Sequence, residues 1–274
     1  MWGTMKTVVY QSYRTVDVPS WISDCMRSVR NWAERKGFDY IFLDDAFLEY
    51  APAWYREAAR GSILLISDLA RLEVAHEFLG DGYDRTIWVD ADVLVFDPDR
   101  FDIADEHEYA FCREVWLRKQ EVLGFVLPLV RCDDKVNNAV TVFTKGNSML
   151  DFYRASCQRL IVNMPAKFDP GYVSTTFLSW LHPRIEFPLL TNVGLFSPLL
   201  LHDLAADTSR YVRRYMKQFG SSISAANLCG TFRSGRHMGV DMSDELYSRA
   251  IRRMLATNGE VLNRHLAAGS LPPK

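Results

Sequence analysis

Two aspartates at the end of an apolar segment have the type and spacing needed to hold a divalent metal ion. Asp90 and Asp92 lie within residues 86–96, TIWVDADVLVF. In an extended chain, residues i and i+2 point to the same side, about 6.5 Å apart. Carboxylate oxygens suit Mg²⁺ or Mn²⁺, and substrate phosphates complete the coordination. Ala91 between them leaves the backbone open to a bulky ligand. The alternative is a solvated turn, since residues 97–99 are also acidic.

A second charged pair, Asp68 and Arg71, lies in the segment SDLAR, residues 67–71. The spacing i, i+3 places both side chains on one face of the first turn of a helix, which Ser67 or Asp68 would cap. A carboxylate can accept hydrogen bonds from hydroxyl groups, and a guanidinium can engage a phosphate or an oxygen. The alternative is a capping residue followed by a surface arginine.

The segments before these motifs predict a βαβ unit. Residues 6–10 and 38–43 are β-rich, and apolar residues recur at helical spacing between Trp21 and Trp32, with Gly37 as a stop signal. Such a unit predicts parallel strands. Residues 53–59 and a longer segment ending at residues 80–82 are predicted helices, and residues 86–89 form a buried strand. Ligands collect at the carboxyl ends of such strands, where Asp90 would lie.

The rest of the chain gives a coarser pattern. Residues 109–113 and 139–144 are predicted strands, and 148–162 a helix. Residues 185–190 and 195–201 are apolar runs with proline at their margins, predicted as strand or loop. Residues 243–266 are predicted as a helix interrupted at 258–259.

The composition excludes several classes of protein. Of 274 residues, 48% are hydrophobic and 24% charged, which is typical of a globular chain. A net charge of −2 argues against nucleic acid as a partner. The five cysteines are scattered, which predicts buried thiols rather than a disulfide framework. No segment resembles a signal peptide or a membrane span, so we expect a cytoplasmic protein. Peripheral membrane contact stays open because arginines cluster at residues 249–253.

The order of these motifs resembles a known class of enzymes. A βαβ unit, an SD-x-x-R helix and an apolar strand ending in DxD are similar to the GT-A glycosyltransferases, above all to the retaining families 8 and 32 and the glucosylating-toxin catalytic domains. The resemblance implies a Rossmann-like nucleotide-diphospho-sugar transferase fold, α/β, with a mostly parallel central sheet flanked by helices. It also implies a single domain over residues 1–274, with a nucleotide-sugar-binding half (5–100), an acceptor half (101–242) and a C-terminal helix (243–274).

The resemblance also implies roles for individual residues. Donor-binding residues would be Tyr10, Gln11, Ser67, Asp68, Arg71, Asp90, Ala91 and Asp92, and the catalytic set would be Asp68, Arg71, Asp90 and Asn138. Asn138 would face the donor sugar or the acceptor, although Asn137 and Asn138 also suit a plain turn. Mn²⁺ or Mg²⁺ would be bound by Asp90 and Asp92. A histidine near the C-terminus would complete the metal site, with His237 preferred over His202.

The activity that follows is transfer of a sugar from a nucleoside diphosphate, expected to be UDP, to a hydroxyl of a glycan, glycolipid or protein. Retention at the anomeric carbon is expected from the resemblance alone. One alternative is a haloacid-dehalogenase-type phosphatase with Asp90 as nucleophile, for which Lys217, Asp241 and Asp244 are the best later residues. The other alternative is a non-catalytic nucleotide-sugar-binding domain.

Overall fold

The computed structural model describes residues 5–122 and 125–266, with backbone only for residues 120–122 and 125–129. The strands are β1 Thr7–Ser12, β2 Asp39–Leu43, β3 Arg85–Val89, β4 Val93–Val95, β5 Tyr109–Val122, β6 Phe125–Thr144, β7 Leu189–Leu190, β8 Val193–Leu195, β9 Ala225–Asn227, β10 Arg236–His237 and β11 Val240–Asp241. The helices are α1 Ser20–Lys36, α2 Ala53–Ala58, α3 Ile63–Gly80, α4 Ser148–Val162, α5 Thr175–Leu181, α6 Pro198–Ala206, α7 Arg210–Phe219, α8 Asp244–Ala256 and α9 Glu260–Asn263. Asp45–Tyr50 and Gly230–Phe232 form short 3₁₀ helices.

The predicted βαβ unit is confirmed. Helix α1 begins after Pro19 and ends at Gly37, whose positive φ of 71° closes the last turn. Its buried face carries the apolar residues that recur at helical spacing, among them Trp21 and Trp32. Strand β1 pairs in parallel with β2 on one side and with β3 on the other. The carboxyl ends of three strands therefore lie along one edge of the sheet.

The central sheet has the strand order β2-β1-β3-β6-β5-β7. Only β6 is antiparallel to its neighbours β3 and β5 among these six strands, so the other five run in one direction. The expected α/β class, with a mostly parallel central sheet flanked by helices, is confirmed. Strands β5 and β6 form a long hairpin, which extends well beyond the predicted strands at 109–113 and 139–144.

The chain leaves the central sheet at the DxD segment. The amide of Val93 donates to the carbonyl of Asp90 at 3.0 Å, which closes a turn. Strand β4 then joins a second sheet of order β4-β9-β8. The expectation of an extended chain through Asp90 and Asp92 is therefore wrong. The turn arises because the segment passes from one sheet to another, and it places Asn227 of β9 opposite Val93.

Helix α3 begins earlier than predicted. It starts at Ile63, and the hydroxyl of Ser62 accepts the amide of Leu65 at 3.5 Å. The expected cap at Ser67 or Asp68 is wrong because residues 63–66 continue the helix towards its N-terminus. Asp68 and Arg71 consequently lie inside the helix, where they still share one face.

The remaining elements agree in part with the prediction. Helices α2 and α4 match residues 53–59 and 148–162. The C-terminal segment is helical with an interruption at residues 257–259, as expected, and residues 267–274 lie outside the described part. Residues 195–201 were expected as strand or loop, but a helix begins at Pro198, which suits a first helical position.

The prediction of free cysteine thiols agrees with the structure. All five cysteines are free thiols, and only Cys132 is not fully buried. Burial of free thiols is the ordinary behaviour of this residue type. Within residues 5–122 and 125–266, the helices are too short or too polar to span a bilayer.

Candidate functional site

A cavity of about 420 Å³ opens at the carboxyl ends of β1, β2 and β3. Its volume is within the usual range for small-molecule sites. Five residues predicted from the sequence lie in its wall: Ser67, Arg71, Asp90, Ala91 and Asp92. The structure thus brings the DxD pair and the SD-x-x-R helix to one surface, although 19 positions separate Arg71 from Asp90.

Asp90 is held by two donors from different elements. The guanidinium of Arg71 and the indole N–H of Trp88 both donate to its Oδ1, at 2.9 and 2.7 Å. Its side chain is 26% exposed. Burial raises the pKa of Asp90 to about 7, against the attraction of Arg71 and with the help of the charge on Asp92. Both donors bind one oxygen, and the other, Oδ2, faces the side-chain amide of Asn227.

Asp92 is held from the C-terminal half of the chain. The amide of Gly230 donates to its Oδ2 at 2.6 Å, and the side-chain amide of Asn227 donates to its Oδ1 at 2.8 Å. The same amide nitrogen lies 3.4 Å from Oδ2 of Asp90. Burial raises the pKa of Asp92, and the Gly230 amide opposes this. One oxygen of each aspartate therefore converges on a single point.

Arg71 links the two motifs. Its guanidinium lies 3.3 Å from Asp68, 2.9 Å from Asp90 and 3.0 Å from the carbonyl of Asn138. It also stacks over the ring of Trp88, 4.7 Å from the centroid. Arg71 and Asp68 are 6% and 4% exposed. Asp68 and Asp90 pair with this guanidinium, and Asp92 lies beside Asp90. When ionised, three carboxylates and one cation leave an excess of two negative charges.

Asp68 lies behind Arg71 and does not line the cavity. The side-chain amide of Asn138 donates to its Oδ1 at 2.9 Å, and burial raises the pKa of Asp68 while Arg71 opposes this. Asn138 is 6% exposed and is likewise turned towards Asp68. These two predicted catalytic residues therefore position Arg71 rather than line the cavity wall.

Two expected nucleotide contacts lie elsewhere. Tyr10 is 1% exposed, and its hydroxyl donates to the carbonyl of Arg71 at 2.7 Å. Gln11 is fully buried, and its amide donates to the carbonyl of Asp90 at 3.1 Å. Neither side chain reaches the cavity because both faces of β1 are covered by packed elements. Gln11 instead fixes the backbone from which the DxD turn begins.

In the described residues, neither candidate histidine forms a hydrogen bond or ion pair with Asp90 or Asp92. Among the described residues, no three His, Cys, Asp or Glu side chains are grouped so that they could hold a metal ion. The His237 ring packs edge-on against Phe232 at 4.6 Å, and His202 is exposed on α6. The assignment of His237 or His202 as third ligand therefore stays a prediction. The loop after β9 brings the backbone amide of Gly230 to Asp92.

Several residues of the site were missed in the sequence. A first group, Asn227 and Gly230, holds Asp92. A second group lies at or just after the carboxyl ends of β1 and β2 and lines the cavity: Ser12, Tyr13, Arg14, Asp44 and Asp45. For the second group a signal existed, because polar residues at the carboxyl ends of parallel strands are expected to face a ligand. For Asn227 no signal existed, since its position depends on the pairing of β9 with β4.

The comparisons with known proteins give distant likenesses. No protein-family model matches the sequence, and no curated protein does. One similar solved structure is a glycosyltransferase involved in the glycosylation of the major capsid of PBCV-1, with 12% identity, 82% of this chain and 94% of that chain covered, and a TM-score of 0.44. Another is the WbbM bifunctional glycosyltransferase, with 11% identity, 97% and 53% covered, and a TM-score of 0.42. The functional assignment therefore depends on the geometry of the site.

Proposed function

We propose that this protein is a metal-dependent glycosyltransferase of the GT-A type, which transfers a sugar from a UDP-sugar to a hydroxyl acceptor with retention. The observation that supports it most is the joining of Asp90, Asp92 and Arg71 in one cavity wall at the carboxyl ends of three parallel strands. A DxD pair alone suits several reactions. Its direct contact with the arginine of the SD-x-x-R helix is what favours a nucleotide-sugar donor.

The residues present fit a hard divalent cation. Asp90 Oδ2 and Asp92 Oδ1 converge on the amide nitrogen of Asn227, and the surplus of two negative charges suits Mn²⁺ or Mg²⁺. Asp90 and Asp92 would hold the ion, with Asn227 beside them. Such an ion supplies charge stabilisation on the diphosphate as it leaves. A ligand set of two carboxylates is sufficient because substrate phosphates and water complete the shell.

The cavity wall suggests how the donor lies. Tyr13, Arg14 and the aspartates at 44 and 45 line the cavity after strands β1 and β2, where ribose hydroxyls could donate to carboxylates. Arg71, Ser67 and Trp88 line it beside the DxD pair. The sugar would therefore lie against α3 and the diphosphate beside Asp92. The Gly230 amide at Asp92 marks the boundary with the C-terminal half.

This chain's own groups then have distinct tasks. Trp88 and Arg71 fix Asp90 Oδ1, so that only its other oxygen is turned to the ion. Gln11 holds the Asp90 backbone and Gly230 holds Asp92, which keeps both carboxylates in place before substrate binds. Asp68 and Asn138 keep the guanidinium of Arg71 at the edge of the cavity. In a retaining reaction on the same face, the leaving phosphate oxygen accepts the acceptor's proton.

The phosphatase alternative has weaker support. Its nucleophile would be Asp90, whose Oδ1 is occupied by Arg71 and Trp88. The later residues that it would use lie apart: Lys217 and Asp241 are exposed, and Asp244 forms two hydrogen bonds with Arg233. A covalent phosphate on Asp90 after incubation with a phosphate ester would favour the phosphatase.

The experiment that tests the proposal is a screen of nucleotide sugars for Mn²⁺-dependent release of the nucleoside diphosphate. Asp92→Asn is the informative variant, and Asp99→Asn is its matched control, since Asp99 is 83% exposed and pairs with Arg35. We expect turnover with one UDP-sugar that Asp92→Asn lowers by roughly 10²–10³-fold and that the control retains. Equal turnover in both variants would overturn the metal assignment. Binding of a nucleotide sugar without any turnover would favour the non-catalytic alternative.

A further inference from the structure

A second polar and aromatic face adjoins the DxD pair from the side of β5. Glu114 and Trp116 are two residues apart on this strand, so their side chains point to the same side of the sheet. Glu114 is 6% exposed, and Trp116 is partly buried. The donor site described above uses neither residue. A buried carboxylate beside a partly exposed indole therefore needs its own explanation.

Trp116 is connected to Asp92 through the loop after β9. Its ring stacks on Phe232, with centroids 5.5 Å apart and an interplanar angle of 29°. Phe232 ends the 3₁₀ helix that begins at Gly230, and the Gly230 amide donates to Asp92 at 2.6 Å. Within the described residues, Phe232 is the single ring partner of Trp116. One face of the indole is thus held by protein next to the DxD carboxylates.

Glu114 is connected to the opposite side of the site. The side-chain amide of Asn137 donates to its Oε2 at 3.0 Å, and the next residue, Asn138, donates to Asp68 at 2.9 Å. Burial raises the pKa of Glu114, which Asn137 and Lys135 oppose. In the part of the chain that the structure describes, Oε1 of Glu114 forms no hydrogen bond. A sugar hydroxyl bound beside Trp116 could donate a hydrogen bond to this oxygen.

We propose that Glu114 and Trp116 form the acceptor subsite and that the acceptor is a sugar ring rather than a protein side chain or a lipid alcohol. The inference rests on the proposed function. The C–H groups on one face of a pyranose carry partial positive charge and pack against the electron-rich face of an indole. The hydroxyls at the edge of the ring donate to a carboxylate. An aromatic face and a buried carboxylate two residues apart provide both contacts.

Binding of simple sugars tests the subsite without any turnover. A panel of methyl pyranosides is titrated against the full chain with Mn²⁺ and UDP, and binding is followed by saturation-transfer NMR. We expect at least one glycoside to bind, and Trp116→Leu to weaken it about tenfold, whereas Trp116→Phe keeps most of the affinity. Trp180→Leu is the matched control, since Trp180 is 55% exposed on α5 and packs with Arg184. Equal loss in Trp180→Leu, or no loss in Trp116→Leu, would contradict the proposal.

Kinetics separate this subsite from the donor site. With a glycoside acceptor, Trp116→Leu should raise the acceptor KM about tenfold, and its effect on transfer should exceed its effect on donor hydrolysis at least about fivefold. Glu114→Gln should lower kcat/KM for the acceptor in the same selective way. Equal effects on transfer and hydrolysis would assign both residues to packing of the loop and overturn the subsite. If wild type binds a glycoside but shows no donor turnover, the proposed function is overturned and the sugar-binding subsite is not.

Discussion

Two regions around the DxD pair are built from different kinds of chain segment. The proposed donor side comes from three neighbouring parallel strands and one helix, with Arg71 and Asp90 in direct contact. The other side, which includes the proposed acceptor face, comes from β5, β6 and the loop after β9, where Gly230 meets Asp92 across 138 positions. Short βαβ connections position the first side, whereas pairing between distant strands positions the second. Substitutions in the C-terminal half should therefore weaken donor binding less than substitutions of Arg71.

The largest effect is expected at the centre of the donor side. Arg71→Ala leaves Asp68 and Asp90 as buried carboxylates without their cation, so we expect the free energy of unfolding to fall by about 3–5 kcal/mol and turnover to fall roughly 10²–10³-fold. Arg71→Lys should rescue little, because one ammonium cannot replace the several directed N–H groups of the guanidinium. Urea denaturation and diphosphate release measure the two effects.

Arg85 provides the control for that prediction. It is fully buried and donates to Asp105 at 2.6 Å, away from the cavity wall. Arg85→Ala should destabilise the protein but keep the turnover of the molecules that remain folded. If turnover per folded molecule fell equally in Arg85→Ala and Arg71→Ala, the effect of Arg71→Ala on turnover would come from lost stability and not from the contacts of Arg71 in the site.

A smaller effect is expected where the two sides meet. Asn227→Ala removes the amide beside Asp90 and Asp92, so the Mn²⁺ concentration for half-maximal turnover should rise about 10–100-fold. Asn192→Ala is the control, since its side chain bonds the carbonyl of Asp102. An unchanged Mn²⁺ requirement in Asn227→Ala would show that the second sheet does not assist the metal carboxylates.

The stability of the metal-free protein should depend on the protonation of Asp90. Its folded pKa of about 7 lies above the unfolded value near 4, so its contribution to stability is complete below about pH 4 and is lost as the pH rises through 7. Asp90→Asn should therefore be more stable than wild type by about 1–3 kcal/mol at pH 8 in EDTA. Saturating Mn²⁺ should narrow the difference in stability between wild type and Asp90→Asn. Thermal unfolding of both proteins from pH 4 to 8 measures this difference. If wild type gained stability relative to Asp90→Asn as the pH rises, the raised pKa of Asp90 would be contradicted.

The smallest effect concerns the start of helix α3. Ser62 caps this helix, so Ser62→Ala should lower stability by about 1 kcal/mol with turnover retained. Ser67 lies inside the helix and in the cavity wall, so Ser67→Ala should keep the free energy of unfolding within about 0.5 kcal/mol of wild type. Denaturation of both variants compares them. If Ser67→Ala were less stable than Ser62→Ala, the helix would be capped at Ser67, as expected from the sequence.

The sequence predicted the strands and the helix that carry Arg71 and Asp90, because local patterns determine these elements. An apolar run ending in aspartate, a helical spacing between Asp68 and Arg71 and a βαβ unit each depend on nearby residues. The helix start was misplaced because exposed Ile63 and Leu64 do not follow an amphipathic pattern. The DxD turn was missed because it depends on β4 joining a second sheet.

The contacts on the other side of the DxD pair could not be derived in the same way. Asn227 reaches the DxD pair through the pairing of β9 with β4, and Trp116 meets Phe232 through a loop more than a hundred residues later. Neither relation leaves a pattern within one segment. The preference for His237 rested on a resemblance and stays a prediction, whereas no pattern in the sequence predicted the Gly230 amide at Asp92. The division into a nucleotide-sugar-binding half (5–100), an acceptor half (101–242) and a C-terminal helix (243–274) also stays a prediction.

Calorimetric titration with UDP tests the central claim most directly. If Asp90 and Asp92 hold the ion that binds the diphosphate, UDP should bind wild type at least about tenfold more tightly with Mn²⁺ than with EDTA, and Asp92→Asn should lose that difference. Equal affinity for UDP with and without Mn²⁺ in wild type would contradict the account.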